Sequence, residues 1–128
     1  MEILNSSTAT VVSTGYTGGG LSYPYGIAVD GAGNVWVTNY YGIIAEGTEA
    51  PSTISELQGA NGAKPGQPIS PSTGYGSDAG LLEPHGIAID ASGNVWVSNA
   101  DDGANSITQF LGVATPVKTP LAGPPQLP

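Results

Sequence analysis

Apolar and polar residues alternate in two segments of the chain that carry almost the same sequence. GIAVDGAGNVWVTN occupies residues 26–39, and GIAIDASGNVWVSN occupies residues 86–99. In the first segment Val35 and Val37 alternate with Trp36, which is the two-residue period of a β-strand. The two segments are identical at ten of their fourteen positions. Agreement on this scale defines an internal repeat, and the repeat decides how the rest of the chain is interpreted.

Each repeated segment contains a link with the chemistry of a hairpin turn. The links are DGAGN and DASGN, with Asp in first place and Gly in fourth place. An Asp side chain accepts hydrogen bonds from the turn backbone, and Gly adopts the positive φ that a bulged hairpin loop needs. Each segment is therefore predicted to be an antiparallel hairpin of strands A and B. Asp30 and Asp90 are expected to cap the turns rather than to serve as channel carboxylates.

Two further strands are predicted around each hairpin. A strand C follows it, STISEL at 52–57 and NSITQF at 105–110, and a strand D precedes it, TVVSTGY at 10–16 and PISPSTGY at 68–75. Four antiparallel strands in repeated units are typical of β-propeller blades. The fold prediction is therefore an all-β protein made of two four-stranded antiparallel blades.

The predicted organisation divides the chain into four parts. They are a lead-in at 1–9, a first blade region at 10–66, a second blade region at 67–110 and a Pro-rich tail at 111–128. Trp36 and Trp96 lie in mid-strand between valines, so they are expected to pack between blades rather than to stack on sugars.

The repeated segments resemble NHL repeats, which are the blades of NHL-type β-propellers. YPYGIAVDGAGNVWVTN and EPHGIAIDASGNVWVSN carry this likeness, which covers about residues 8–110. They are also similar to blades of virginiamycin B lyase-like and gluconolactonase-like propellers. The resemblance implies blade architecture but no single function, because propellers of this kind include lyases, lactonases and binding platforms.

Two blades do not close a propeller, which typically has four to eight. Head-to-tail contacts between identical chains generate closed rings when the rotation per chain fits. Three chains would supply six blades and four chains would supply eight, so a homotrimer is expected and a tetramer is the alternative. The last blade would be closed either by TVVS at 10–13 of a neighbouring chain, through strand swapping, or by the chain's own TPVKT at 115–119.

Composition restricts the partners. The chain has ten acidic residues, two lysines, no arginine and a net charge of −8, which argues against nucleic acid and anionic membranes because phosphate contacts need Lys and Arg. The absence of cysteine excludes disulfides and thiolate sites. No stretch is long and apolar enough to span a bilayer. MEILNSS lacks the basic head and apolar run of a signal peptide; a secreted or periplasmic parent protein stays open.

Candidate ligand-binding side chains are expected on one face, where the D–A and B–C loops meet beside the central channel. The first B–C loop, NYYGIIAEGTEAPS, is longer than its counterpart NADDGAN, and longer loops on such a face usually determine which ligand binds. Its adjacent tyrosines are suited to stacking on a ligand. The candidates are Tyr25, Asn39, Tyr40, Tyr41, His85, Asn99, Asp101 and Asp102, and Tyr23, Glu46 and Glu83 are expected on the same face.

Two functions are open at this point, and a third possibility is that the chain has no function of its own and is the C-terminal end of a larger propeller. The preferred one is a non-enzymatic, self-assembling scaffold that binds a small molecule, a glycan or a protein and needs no cofactor. The alternative is a metal-dependent lyase or a lactonase-like hydrolase acting in the channel. The lyase family that the blades resemble uses histidines and a glutamate with a metal, and only His85, with Glu83 more loosely, matches that set. Three copies of His85 on a threefold axis could hold a divalent metal, although a half-exposed turn residue without a ligand is the preferred interpretation.

Overall fold

The computed structural model describes residues 15–41, 50–103 and 105–117 and places six β-strands in two antiparallel sheets. The first sheet contains β1 (Pro24–Val29), β2 (Val35–Asn39) and β3 (Thr53–Leu57), and the second contains β4 (Pro84–Ile89), β5 (Val95–Asn99) and β6 (Ser106–Phe110). The order within each sheet follows the chain. No helix occurs in the described ranges, and thus none that could cross a membrane. The all-β prediction, with its two antiparallel units, is confirmed.

The two sheets have the same register, so the sequence repeat is also a structural repeat. Trp36 pairs with Glu56 across β2 and β3, and Trp96 pairs with Gln109 across β5 and β6. The pairing of β1 with β2 shifts register between Pro24 and Ile27, and the pairing of β4 with β5 shifts at the equivalent place. Equivalent residues of the two sheets can therefore be compared one by one.

The segment predicted as the second strand D runs antiparallel beside β3 without becoming a regular strand. Residues 68–75 make two isolated bridges with β3, from Leu57 to Pro68 and from Ile54 to Tyr75. Prolines within the segment have no N–H to donate, which interrupts the ladder. The structure shows three-stranded sheets, so the four-stranded blade stays a prediction. Outside the described residues lie the lead-in 1–9, most of the first strand D at 10–16, Glu46 and residues 118–128 of the tail.

One face of the first sheet packs on one face of the second, and we call this contact the inter-sheet junction. Trp36 and Ile54 from the first sheet meet Val95 and Val97 from the second in one buried cluster. All four side chains are at most 1% exposed. The prediction that Trp36 packs between the two units is confirmed.

The Asp residue of each hairpin link caps its turn, as predicted. Asp90 accepts hydrogen bonds from the backbone N–H groups of Ser92 and Asn94 at 2.8 and 3.0 Å. Its second oxygen accepts from the indole N–H of Trp96 at 3.0 Å. These bonds, that of the indole first, hold the pKa of Asp90 well below its usual range. Asp30 makes the equivalent bonds in the first turn.

A buried carboxylate lies on the same face of the first sheet as Trp36. Glu56 is 8% exposed, and its Oε1 accepts a hydrogen bond from the side-chain amide of Asn34 at 3.1 Å. Burial, and then the negative charge of Asp30, raise the pKa of Glu56 above its ordinary value. The equivalent residue of the second sheet is Gln109, which is uncharged.

Glu56→Gln is expected to stabilise the protein at pH 7 by about 1 kcal/mol, because glutamine keeps the acceptor and removes the buried charge. Because the pKa of Glu56 is raised in the folded state, the ionised carboxylate lowers the free energy of unfolding at neutral pH. Protonation of Glu56 removes this loss of stability as the pH falls. The advantage of the variant should therefore shrink between pH 7 and about pH 4. Urea denaturation of both proteins across this range measures it. A difference in stability between the two proteins that stays constant with pH would contradict the raised pKa of Glu56.

Candidate functional site

Five aromatic rings meet at one end of the two innermost strands, β1 and β4. Tyr25 and His85 stack in parallel, with ring centroids 4.1 Å apart and planes 1° apart. Tyr40 lies beside this stacked pair, with its ring centroid 5.6 Å from that of Tyr25 and 5.8 Å from that of His85. Tyr41 stands at 83° to Tyr40 and also at 83° to Tyr23. The rings form the walls of a cleft of about 450 Å³, which we call the aromatic cleft and which is lined by Tyr23, Pro24, Tyr25, Tyr40, Tyr41, Glu83 and His85.

The rings meet because the inner strands of the two sheets approach each other closely at Gly26. A Cβ atom on Gly26 would overlap the backbone carbonyl oxygen of His85. The hydroxyl of Thr38 spans the gap: it accepts from the N–H of Gly26 at 2.7 Å and donates to the carbonyl of His85 at 3.1 Å. Tyr25 and His85 occupy equivalent positions in the repeat. The close approach therefore stacks equivalent side chains of the two sheets on each other.

One carboxylate, that of Glu83, lies among the residues that line the aromatic cleft. The phenol of Tyr40 donates a hydrogen bond to Glu83, and this bond, followed by desolvation and the charge of Glu83, raises the pKa of Tyr40 above its ordinary value. Tyr40 therefore stays a neutral phenol across the physiological range. Glu83 adds a carboxylate to a surface that is made mainly of aromatic rings.

The loops that carry the cleft hold two residues in a strained backbone conformation. Tyr23 and Glu83 are equivalent in the repeat, and both have a φ of 46°. A positive φ costs energy in residues other than glycine, and such residues cluster at ligand-binding positions. Their carbonyls accept hydrogen bonds from the N–H groups of Tyr40 at 3.1 Å and Ala100 at 3.3 Å. These bonds attach each loop to the end of strand B, where Tyr40 and Tyr41 follow.

Two of the predicted ligand-binding residues use their side-chain amides in hydrogen bonds within the sheets. Asn39 is fully buried, accepts from the N–H of Ser22 at 3.1 Å, and donates to the hydroxyls of Thr53 and Ser55 at 3.0 and 2.9 Å. Asn99 makes the equivalent three bonds in the second sheet. Both amides hold the loop before strand A against strands B and C. Neither lines the aromatic cleft, and a role for them in ligand binding stays a prediction.

The remaining predicted acidic residues lie beside the cleft or in solvent. Asp101 lines a neighbouring cavity of about 460 Å³ that shares Tyr41 and Glu83 with the aromatic cleft. Asp102 is exposed. Within residues 15–41, 50–103 and 105–117, no three His, Asp or Glu side chains are grouped so that they could hold a metal ion. In this part of one chain, no third His, Asp or Glu side chain therefore lies with His85 and Glu83 to complete a metal site.

The arrangement can bind a ligand through ring faces and one negative charge. In comparisons with known proteins, neither a family model nor a curated protein matches this chain. The aromatic cleft and the apolar side chains exposed on the outer faces of the two sheets are therefore the features that bear on function.

Proposed function

We propose that the chain forms two blades of an NHL-type β-propeller and that identical copies associate head to tail into a closed ring. The favoured ring has three chains and six blades. The segment 68–75, which lies beside β3 of the first sheet, would be the outer strand of the first blade although it was grouped with the second blade region. The ring acts as a scaffold and binding platform, with the aromatic cleft on its ligand face. The observation that carries this proposal is that each outer face of the chain exposes residues whose equivalents in the repeat pack at the inter-sheet junction.

The outer face of the second sheet repeats the junction face of the first. Trp36 and Ile54 are 1% and 0% exposed at the junction. Their equivalents, Trp96 and Ile107, are 39% and 69% exposed. The second sheet therefore presents to solvent the same pair of large apolar side chains that the first sheet buries against its neighbour.

The outer face of the first sheet repeats the junction face of the second. Ile87 and Ile89 of β4 pack against the buried cluster of the junction. Their equivalents in β1, Ile27 and Val29, are 70% and 55% exposed. They point away from the junction, since side chains alternate along a strand and Ala28 pairs with Trp36.

The two outer faces should therefore fit each other as the two junction faces do. The occupant that suits each face is a second copy of this chain, because the complementary surface lies on the chain itself. A contact of this kind is heterologous, and it closes into a ring when the rotation fits. On the first sheet the exposed part of this face lies along β1, since Val37 and Leu57 on the same face are 7% and 5% exposed. Grouped exposed apolar side chains are typical of an interaction site.

Single lysine substitutions test the head-to-tail contact. Ile107→Lys blocks one outer face and Ile27→Lys blocks the other, so each variant alone should have the mass of one chain, 12.8 kDa. An equimolar mixture still offers one intact face of each kind and should form a two-chain complex that cannot grow further. Light scattering measures all three masses.

Leu82→Lys is the matched control, because Leu82 is 46% exposed but lies in the loop before β4, where the repeat has Ser22. This variant should keep the mass of the unmodified protein. The proposal fails if Ile27→Lys or Ile107→Lys also keeps that mass, or if the mixture contains only single chains.

A further inference from the structure

The aromatic cleft offers ring faces to solvent from several directions. Tyr23 and Tyr25 are 65% and 64% exposed, although aromatic side chains are usually more buried. Tyr41 stands at right angles to Tyr40 and to Tyr23, so the exposed faces form a corner rather than a flat platform. A corner of ring faces surrounds a rounded ligand better than it covers a planar one.

The electrostatic character of the cleft is negative. Each ring face carries the negative part of its quadrupole, and Glu83 adds a carboxylate. The phenol of Tyr40 donates its proton towards Glu83, which increases the electron density of the Tyr40 ring. Lys64, in the loop after β3, is the lysine among the described residues, and the chain has no arginine. His85 is the basic side chain that lines the cleft.

Several polar groups near the cleft already make hydrogen bonds within the protein. The amides of Asn39 and Asn99 are buried and bonded within their sheets. The hydroxyl of Tyr40 and the carboxylate of Glu83 are bonded to each other. The exposed ring faces and the carboxylate of Glu83 are the main features that the cleft presents, and these favour a cation with an apolar surface over a glycan.

We infer that the aromatic cleft binds a small organic cation, and that its preferred head group is a quaternary ammonium. This deepens the proposed function, on which it rests, by naming the ligand class of the binding face. Aromatic corners with a nearby carboxylate attract such cations through the ring quadrupoles and through charge. The cation lies against Tyr23, Tyr40 and Tyr41, with Glu83 at its edge. Every residue of this site belongs to one chain.

Choline and its uncharged isostere 3,3-dimethylbutan-1-ol test the inference on the unmodified full chain. The two have the same shape and differ in charge, so choline should bind at least about tenfold more tightly. Titration followed by NMR, with the tyrosine ring signals as the probe, measures both affinities. Equal affinities, or no shift with choline at high millimolar concentration, would overturn the inference. Tighter binding of glucose or galactose than of choline would overturn it in favour of a glycan.

Substitutions in the cleft show which side chains contribute to choline binding. Glu83→Gln and Tyr41→Ala should each weaken choline binding about tenfold. Tyr16→Leu is the control, because Tyr16 lies beside Gly66 in a separate cavity, and it should change the affinity less than about twofold. The choline-to-isostere ratio needs no variant, so the test holds even if a substitution disturbs folding. If Glu83→Gln and Tyr16→Leu weaken binding equally, the assigned site is wrong.

Two further probes distinguish the sources of a quaternary ammonium group. Glycine betaine carries its own carboxylate and should bind more weakly than choline, because Glu83 repels it. A trimethyllysine peptide that binds as well as choline would place the ligand on a modified protein, and choline binding alone would place it on a free small molecule. Either result supports the ligand class, and binding of betaine more tightly than choline would contradict the role of Glu83.

Failure of this inference is separable from failure of the proposed ring. Ile27→Lys blocks assembly but leaves the cleft of each chain intact, so it should bind choline as the unmodified protein does. A ring that forms without binding choline overturns the ligand class alone. If the unmodified protein stays a single chain and binds choline, the ring alone is overturned.

Discussion

Replacing Trp36 with alanine is expected to lower the free energy of unfolding by about 4 kcal/mol. Trp36 is 1% exposed and packs between the sheets against Val95 and Val97. Its indole N–H also donates to Asp30 at 3.3 Å. Alanine leaves a large cavity at the junction and removes the indole bond to Asp30, whose Oδ2 keeps its bond from the N–H of Thr115. Because small domains are stable by only about 5–15 kcal/mol, this single change should remove a large share of the fold's stability.

Trp96→Ala is the matched control, since the repeat gives Trp96 the same sequence environment and the same bond to an Asp. Trp96 is 39% exposed, so its loss should cost the single chain only about 1–2 kcal/mol. Both changes are best measured by urea denaturation in the Ile27→Lys background, where assembly is blocked and only the single chain contributes. Equal costs at the two positions would contradict the assignment of Trp36 to the junction and Trp96 to an open face.

The second large effect is expected at Gly26, where alanine should destabilise the chain by about 3 kcal/mol and separate the rings of the cleft. The new methyl group would overlap the backbone carbonyl of His85, which no side-chain rotation can move. The inner strands must then move apart, and the stacking of Tyr25 on His85 is lost. Urea denaturation measures the stability, and the NMR shifts of the His85 ring protons report the stacking.

Gly86→Ala is the control for this prediction in the same Ile27→Lys background. A Cβ there would lie 2.8 Å from the Ser98 hydroxyl, which can rotate away, so the cost should be about 1 kcal/mol. In the assembling protein the proposed ring places the next chain's inner strand against Gly86, and the same change should block assembly. If Gly26→Ala keeps the stability and the His85 shifts of the unmodified protein, the close approach of the two strands is wrong.

The strands of both sheets could be predicted from the sequence to within one or two residues at most ends. Alternating valines define strand B, and the Asp-x-x-Gly-Asn links fix the hairpins, because turn chemistry sets the register. The pairing of Trp36 with Glu56 repeats in the second sheet, which the alignment of STISEL with NSITQF had implied. These are local signals, and local signals are what a single sequence carries well.

The fourth strand could not be predicted as accurately. The segment 68–75 has the apolar residues of a strand and lies where one was expected, beside β3. Its prolines cannot donate to a ladder, and Ser70 instead accepts from the N–H of Glu56 at 2.9 Å and donates to the carbonyl of Gly19 at 2.7 Å. At Glu56 a bond to the Ser70 side chain takes the place of one backbone bond, while backbone bonds remain at Ile54 and Gln58. A linear pattern does not contain such a contact.

The candidate site could be predicted only in part. Tyr25, Tyr40, Tyr41 and His85 were expected on one face and do meet in one cleft. The stacking of Tyr25 on His85 depends on how closely the inner strands approach each other. The only sign of this approach in the sequence was the glycine that follows Tyr25, Gly26.

The role of the two asparagines depends on cross-strand neighbours. Asn39 lies opposite Thr53 and near Ser55, and Asn99 lies opposite Ser106 and near Thr108. A hydroxyl residue at alternate positions of strand C, in TIS and again in SIT, was the signal that the amides bond within the sheet. That signal becomes visible only once the register is known, which is why loop position alone suggested ligand binding.

The molar mass of the unmodified chain in solution, measured by light scattering at micromolar concentration, tests the central claim most directly. The account predicts three times the chain mass of 12.8 kDa, with no larger open-ended assemblies. A well-folded species with the mass of one chain would mean that Trp96, Ile107, Ile27 and Val29 stay in solvent, and the ring would be refuted.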